Sequence, residues 1–222
     1  MAITRVNFVQ GVTWAAVGGT TYASPSQNIT AGNTLVVCVG GNAVSAQSVT
    51  GITDTAGNTY TKVAHAFNTG DQYRQEYWYA KNIIGHATNI VTATWSASIE
   101  YRGIVVMQYS GLDTTNPLDD TEQFSTGLPL TTPTLTGTTV NSVHILMVRW
   151  GFGGSGFPAG FTQFATGGAG NVEVADKIDT SGPFSGTYTV SPGNYFVIAA
   201  IFKEPASIVT AKERTYLSVG LG

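Results

Sequence analysis

The side chains in this sequence that could do chemistry are few and widely spread. The 3 histidines are His65, His86 and His144, and the only thiol is Cys38. Metal sites draw ligand pairs from local spacings such as H-x3-H or C-x2-C. No such pair is present, so the histidines read as structural and no metal ligand is assigned. Asp119, Asp120 and Glu122 could gather a cation or act as paired carboxylates; in a threonine-rich stretch they read as a solvated acidic turn. Gly151-Phe-Gly-Gly-Ser-Gly156 matches G-x-G-x-x-G literally. The dinucleotide fingerprint also needs a helix beginning inside the motif. Pro158 and Gly160 follow instead, so the stretch reads as a loop and no cofactor is expected. No serine sits in a G-x-S-x-G elbow. The sequence offers no catalytic constellation, and the chain is expected not to be an enzyme.

Aromatic residues are the remaining lead. Trp14, Tyr73, Trp78, Trp95, Trp150 and Phe152 could include a platform on which sugar rings stack, although aromatics on strands more often fill a core. Trp78 and Trp95 fall on strands and are assigned to the core. Tyr73, Phe152 and Phe157 fall in turns or loops and are the candidate glycan-stacking residues. Asn28-Ile-Thr30 matches a glycosylation acceptor, which has no meaning without export.

Composition narrows the class. Of 222 residues, 42% are hydrophobic and 11% aromatic, enough for a large core; only 10% are charged, far below the roughly 25% of an average soluble protein. Net charge is −3, with no basic patch to neutralise phosphates, so nucleic-acid binding is set aside. Cys38 lies in the apolar run LVVCV and reads as a small buried hydrophobe. The start MAITRVNFVQG lacks a basic region followed by an apolar one, so no signal peptide is expected. No apolar run reaches the roughly 18 residues of a membrane span.

The elements that must carry these residues are strands. Gln75–Lys81 alternates, with Tyr77 and Tyr79 on one face and Trp78 and Ala80 on the other. Ile90–Trp95 alternates again, and Arg102–Tyr109 is more continuously apolar through Ile104, Val105, Val106 and Met107, as in a strand covered on both faces. Turns are expected over Gly85–Asn89 and Ser96–Glu100. Asn33–Gly40 is a buried strand. Val49–Thr53 and Thr59–Phe67 are expected to pair as a hairpin across Asp54–Asn58, where Asp54 caps the turn and Gly57 and Asn58 tolerate positive φ. Ser24–Gly32 reads as a connector and Ala43–Ser48 as a polar loop. Residues 112–138 read as a long connection, followed by strands at Val143–Trp150, Val172–Ile178, Gly186–Val190 and Tyr195–Phe202. The expected fold is all-β: an antiparallel two-sheet sandwich, jelly-roll-like, of about ten strands. The sandwich should span residues 1–204, with a C-terminal extended arm over 205–222. In the arm, Ile208, Val209, Tyr216, Leu217, Val219 and Leu221 are the candidate contacts to another subunit or a lattice. Residues 217, 219 and 221 share one face if the segment is extended, which suits strand addition to a sheet edge.

Several of these stretches together resemble a sandwich module found in bacterial extracellular proteins and tailed-phage structural proteins. They are NTLVV, VTGITDTAGNTYTKV, YWYAKNI, NIVTATWS, YRGIVVMQYSGLD and the closing FVIAAIFK. The resemblance carries no catalytic motif and implies a binding or structural module. With no export signal and with an arm suited to gripping a neighbour, it implies a virion component made in the host cytoplasm. A capsid decoration protein is expected, with a tail position also open. Its partners would be copies of itself, as a trimer, and the major capsid or another virion protein; host glycans are a further possible partner. The alternative expectation is a carbohydrate-binding module of a tail fibre or secreted protein.

Overall fold

The computed structural model describes residues 2–12, 18–44, 46–69, 72–125, 130–150, 157–165, 172–190 and 194–206. In chain order the strands are β1 (Thr4–Val12), β2 (Gly19–Ala23), β3 (Gln27–Ile29), β4 (Thr34–Asn42), β5 (Val49–Asp54) and β6 (Thr61–Asn68). Next come β7 (Tyr73–Ala80), β8 (His86–Asn89), β9 (Val91–Ser110), β10 (Leu118–Ser125), β11 (Leu130–Thr131) and β12 (Leu135–Thr136). The last six are β13 (Ser142–Trp150), β14 (Thr162–Ala165), β15 (Val172–Asp179), β16 (Ser185–Gly186), β17 (Thr189–Val190) and β18 (Asn194–Lys203). No described residue is helical.

The protein is an all-β antiparallel sandwich. The first main sheet has the order β1-β9-β4-β7-β6 and the second the order β10-β18-β13-β15-β14. Each is drawn from one half of the chain, a distribution by halves rather than a strand-by-strand interleave. The apolar pattern explains why they pack. Alternate residues Val36, Cys38, Tyr77, Tyr79, Val105, Met107 and Tyr109 meet Val143, Ile145, Met147, Ile198, Ala200 and Phe202 in one inter-sheet core. Cys38 is fully buried there, as its apolar run led us to expect.

β9 is the strand that organises the rest. The expected turn over Ser96–Glu100 is not a break: one 20-residue strand runs through it and bends at Tyr101, whose φ is 48°. Its second half pairs with β1 and β4; its first half pairs with β2 and β5 and folds back over the outer face of the same sheet. Val91, Ala93, Trp95 and Ile99 thereby pack on Leu35, Val37, Val39, Ile104 and Val106. β4 is consequently buried on both faces, which is why its sequence is continuously apolar. Trp78 and Trp95 belong to this second core, as expected.

Other expectations are corrected. Val49–Thr53 and Thr59–Phe67 do not form a hairpin: β5 joins β9 and β6 joins β7, so the turn between them passes the chain from one layer to another. The supposed connection over 112–138 contains β10, an edge strand on β18. Its polar sequence LDDTEQFS suits an edge that must not recruit further strands. The Ser24–Gly32 connector and the Gly85–Asn89 turn contribute a short ladder, β3 with β8. Gly186–Val190 is split between two-residue ladders, β16 with β12 and β17 with β11. These place Leu135, Tyr188 and Val190 over Leu146, Val148, Val197, Ala199 and Ile201 on the outer face of the second sheet. After β18, Glu204 is buried while Pro205 and Ala206 are exposed.

Candidate functional site

The strand ends gather the polar residues into two contrasting places. At one end lie the start of β4, the end of β7, both termini of β9 and the starts of β10 and β13. Here carboxylates cap backbone. Asp54 Oδ1 accepts from Asn58 N at 2.8 Å, and its Oδ2 accepts from Asn58 Nδ2 and Tyr60 OH at 2.8 Å and Asn89 Nδ2 at 3.2 Å. This is the turn cap expected from the sequence, with Gly57 at φ 79°; Asn58 contributes its side chain rather than a positive φ, since its Oδ1 accepts from Ile84 N at 2.7 Å. Burial alone would raise the Asp54 carboxyl, but the Asn58, Tyr60 and Asn89 donors outweigh it and hold the group below the usual carboxylate range. Asp113 accepts from Thr115 N and Asn116 N at 2.7 and 3.0 Å, and these bonds lower its pKa too.

The acidic trio of the sequence belongs to the same scheme. Asp119 and Asp120 lie on β10, not in a solvated turn. Asp119 accepts from Thr138 N, from Thr138 Oγ1 at 2.7 Å and from Lys203 Nζ at 2.9 Å. Asp120 accepts from Thr136 N at 2.5 Å. Glu122 sits further along β10, where with Thr121 it faces Lys62 and His65 of β6 across an open groove of about 470 Å³. Lys62 is already paired with Glu76 at 2.8 Å. Asp179 accepts from Ser181 N at 2.9 Å and Lys177 Nζ at 2.7 Å, and Glu204 accepts from Asn141 N at 3.1 Å. Carboxylates engaged in this way hold backbone and side-chain donors rather than converging on a common cation position. Among the described residues no group of three or more His, Cys, Asp or Glu is placed to hold a metal ion.

Buried ionisable groups between these ends are also internally bonded. Glu76 is fully buried and accepts from Arg74 Nε at 2.6 Å, Trp78 Nε1 at 3.1 Å and Val49 N at 3.2 Å. Asp176 ties the two sheets together, accepting from Tyr109 OH at 2.8 Å and from Arg5 Nη1 at 2.5 Å. His144 is 1% exposed, with Nε2 2.8 Å from Ser142 Oγ and Nδ1 bonded to Tyr188 OH. Burial pushes its pKa down to about 4. Ser142 beside a histidine has the residue types of a nucleophilic pair, but Ser142 is also 1% exposed and so closed off from solvent. The three histidines lie in three separate sheets: His65 in β6, His86 in β8 and His144 in β13.

The glycan-stacking candidates do not converge. Tyr73 is corrected outright: it begins β7, is fully buried, and lies under the Arg149 guanidinium at 4.3 Å, so neither ring face is offered to a ligand. Phe157 is half-buried against the outer cluster of the second sheet, which also includes Phe161 and Phe184. There Phe184 stacks on Tyr188 at 5.3 Å and 6°, so these rings mostly satisfy one another. Phe152 lies outside the described residues, as do Ile208, Val209, Tyr216, Leu217, Val219 and Leu221.

At the other end of the sandwich is a cleft the sequence did not disclose. It has a volume of about 320 Å³ and is lined by Gly18, Asn42, Ala43, Val44, Gln47, Gln72, Ser98 and Glu100. Asn42 closes β4 directly opposite both Tyr73 and Glu100. Gln72 precedes β7 at φ 51°, with its carbonyl accepting from Ala43 N at 2.7 Å. Gln47 braces the wall, its Oε1 accepting from Val44 N at 2.8 Å and its Nε2 donating to Ser98 O at 3.4 Å. An ideal Cβ at position 18 would come within 2.6 Å of Ser98 Oγ, so a side chain there would oblige Ser98 to change rotamer. These residues come from separate stretches, and only the β4–β9 and β4–β7 registers bring them together. Comparison with protein-family models, with curated proteins and with solved structures finds no match.

Proposed function

We propose that this chain is a non-enzymatic structural protein of a phage virion, a decoration protein on the capsid surface that works as an oligomer. The observation that carries this reading is where the ionisable groups are used. Glu76, Asp176 and His144 brace the interior, and Asp54, Asp113, Asp119, Asp120, Asp179 and Glu204 hold turns. Such a scaffold suits a protein whose work is to keep its shape on a particle surface. The charge-poor composition, 10% of residues, fits a surface that is partly covered by neighbours.

In this reading the arm expected over 205–222 makes the contact, through Leu217, Val219 and Leu221 against another subunit or the capsid. Three such side chains contribute roughly 1.5–3 kcal/mol each, opposed by about 1–2 kcal/mol per ordered residue. One arm therefore binds weakly, and firm attachment needs many copies on a lattice. The test is mass spectrometry of purified particles, alongside native mass spectrometry of the free protein. The expected result is a 23.3 kDa chain in the particles and an oligomer, a trimer by preference, in solution. A monomer in solution together with no such chain in the particles rejects the proposal. Replacing Leu217, Val219 and Leu221 together by Asp should leave the sandwich folded and lower particle occupancy at least about tenfold.

A further inference from the structure

The cleft at the open end contains four polar side chains with no partner among the described residues: Asn42, Gln72, Ser98 and Glu100. Elsewhere some buried polar atoms also lack a partner, among them both side-chain polar atoms of Gln27, Tyr73 OH and Trp95 Nε1, but those are shut away from any ligand. Here the neighbouring Gln47 is engaged in holding the wall, while these four are presented together on strand ends fixed by register. We infer that this cleft is a binding site for an uncharged saccharide, with Asn42, Gln72, Ser98 and Glu100 as its hydrogen-bonding residues.

The chemistry of the lining selects this ligand class. A pyranose presents adjacent hydroxyls, each a donor and an acceptor at once. Carboxamides match such pairs because each carries an NH2 donor and a carbonyl acceptor; the Ser98 hydroxyl does both, and the Glu100 carboxylate accepts strongly. Among the described residues no lysine or arginine lines the cleft, and lysine and arginine are the cations that recognise phosphate or sulfate. A single carboxylate is too little charge for calcium, which takes about 6–8 oxygen ligands. Val44, 47% exposed at the rim, offers an apolar contact for the C–H face of a sugar ring. The cleft lies at the small end of the ligand-site range of about 300–1,000 Å³, which suits a monosaccharide or disaccharide. This assignment does not depend on the virion reading and replaces Tyr73 as the place to look for glycan contact.

The experiment is a titration of the 15N-labelled full chain, followed by amide chemical shifts, with glucose, galactose, mannose and N-acetylglucosamine in turn. At least one should bind saturably with a Kd of about 1–10 mM, as befits a small ligand in a shallow site. It should shift the side-chain amides of Asn42 and Gln72 and the backbone amides of Ser98 and Glu100. Asn42→Ala and Glu100→Gln should each weaken that binding about tenfold, and the unchanged spectrum of the rest of the sandwich would show that both variants are folded. Thr50→Ala, outside the cleft, should bind as the parent does. The inference is overturned if none of the four sugars shifts these resonances at about 100 mM. It is overturned equally if the shifts fall elsewhere, if both cleft variants bind as the parent does, or if calcium chloride alone produces the same pattern.

Discussion

The two ends of the sandwich use the same kinds of residue to opposite effect. At the closed end Asp54 accepts four hydrogen bonds and Asn58 bonds through both its side-chain atoms. At the open end Asn42, Gln72, Ser98 and Glu100 hold their polar atoms towards a cleft. Sequence spacing accounts for the difference. Asp54, Asn58 and Tyr60 are close in the chain, so one turn brings donor and acceptor together. The cleft residues are far apart in sequence and are aligned by strand register, which sets their positions without supplying partners. A polar side chain that is tied contributes stability; one that is placed but untied is available to a ligand.

The comparison breaks first at Asp54. Asp54→Ala removes the acceptor for three side-chain or backbone groups of Asn58 and Tyr60 and for Asn89. Hydrogen bonds to a charged acceptor are worth about 1.5–3 kcal/mol each and are not additive. We expect a loss of about 3–5 kcal/mol in urea unfolding, reading the midpoint at constant m-value. A loss under about 1 kcal/mol would mean that the turn is held by backbone geometry alone.

The next largest effect is a pH dependence from the tied group nearest the closed end of the second sheet. His144 in the folded protein has a pKa near 4, against about 6.5 when unfolded. Between these values the unfolded chain binds a proton that the folded chain refuses. Stability is therefore full above pH about 6.5, falls as the pH drops towards 4, and levels below that, a change of about 3 kcal/mol. His65, also lowered, chiefly by burial and then by Arg74 and Lys62, adds to this slope. Asp176, raised by burial, works against it. The caps Asp54, Asp113 and Asp119 are held below the ordinary carboxylate range, so they release only at lower pH. In His144→Gln the slope between pH 6.5 and 4 should flatten by about one proton. An unchanged slope would show that His144 is not the buried neutral base its surroundings describe.

How much of this was legible depends on how local each cause is. The strand TLVVCVG could be read because β4 is covered on both faces, and Asp54 could be read as a cap because Asn58 and Tyr60 lie within six residues of it, whereas the bond from Asn89 could not. β10 could not, since an edge strand keeps the polar composition of a loop. The Ser96–Glu100 stretch has turn residues, yet it continues as strand because β2 and β5 flank the first half of β9 and the reversal falls on Tyr101. The false hairpin across Asp54 arose from assuming that neighbours in sequence pair, whereas β5 finds β9 instead. Tyr73 looked like a loop aromatic because it stands one residue beyond a turn; the inward alternation of β7 buries it. The cleft was invisible for a related reason: nothing in a single stretch says that Asn42 will face Glu100.

The smallest expected effect is the most discriminating. The side chains of Glu100 and Gln72 are exposed and make no hydrogen bond to a described residue, so replacing them removes no internal side-chain hydrogen bond. Glu100→Gln and Gln72→Ala should change unfolding free energy by no more than about 0.5 kcal/mol, the usual range for surface positions without such features. Gln72→Ala carries one complication, because residue 72 sits at φ 51°. A left-handed conformation costs a non-glycine residue about 1–2 kcal/mol, but glutamine already bears that strain, so exchange for alanine leaves it nearly unchanged. Gln72→Gly should then stabilise by relieving it, offset by the greater chain entropy of glycine when unfolded. Measured side by side under urea, Gln72→Ala and Glu100→Gln close to parent, with Asp54→Ala far below, would confirm that one end is tied and the other presented. If Glu100→Gln instead lost about 2 kcal/mol or more, Glu100 would be a structural cap like Asp54, and the two ends would not differ in kind.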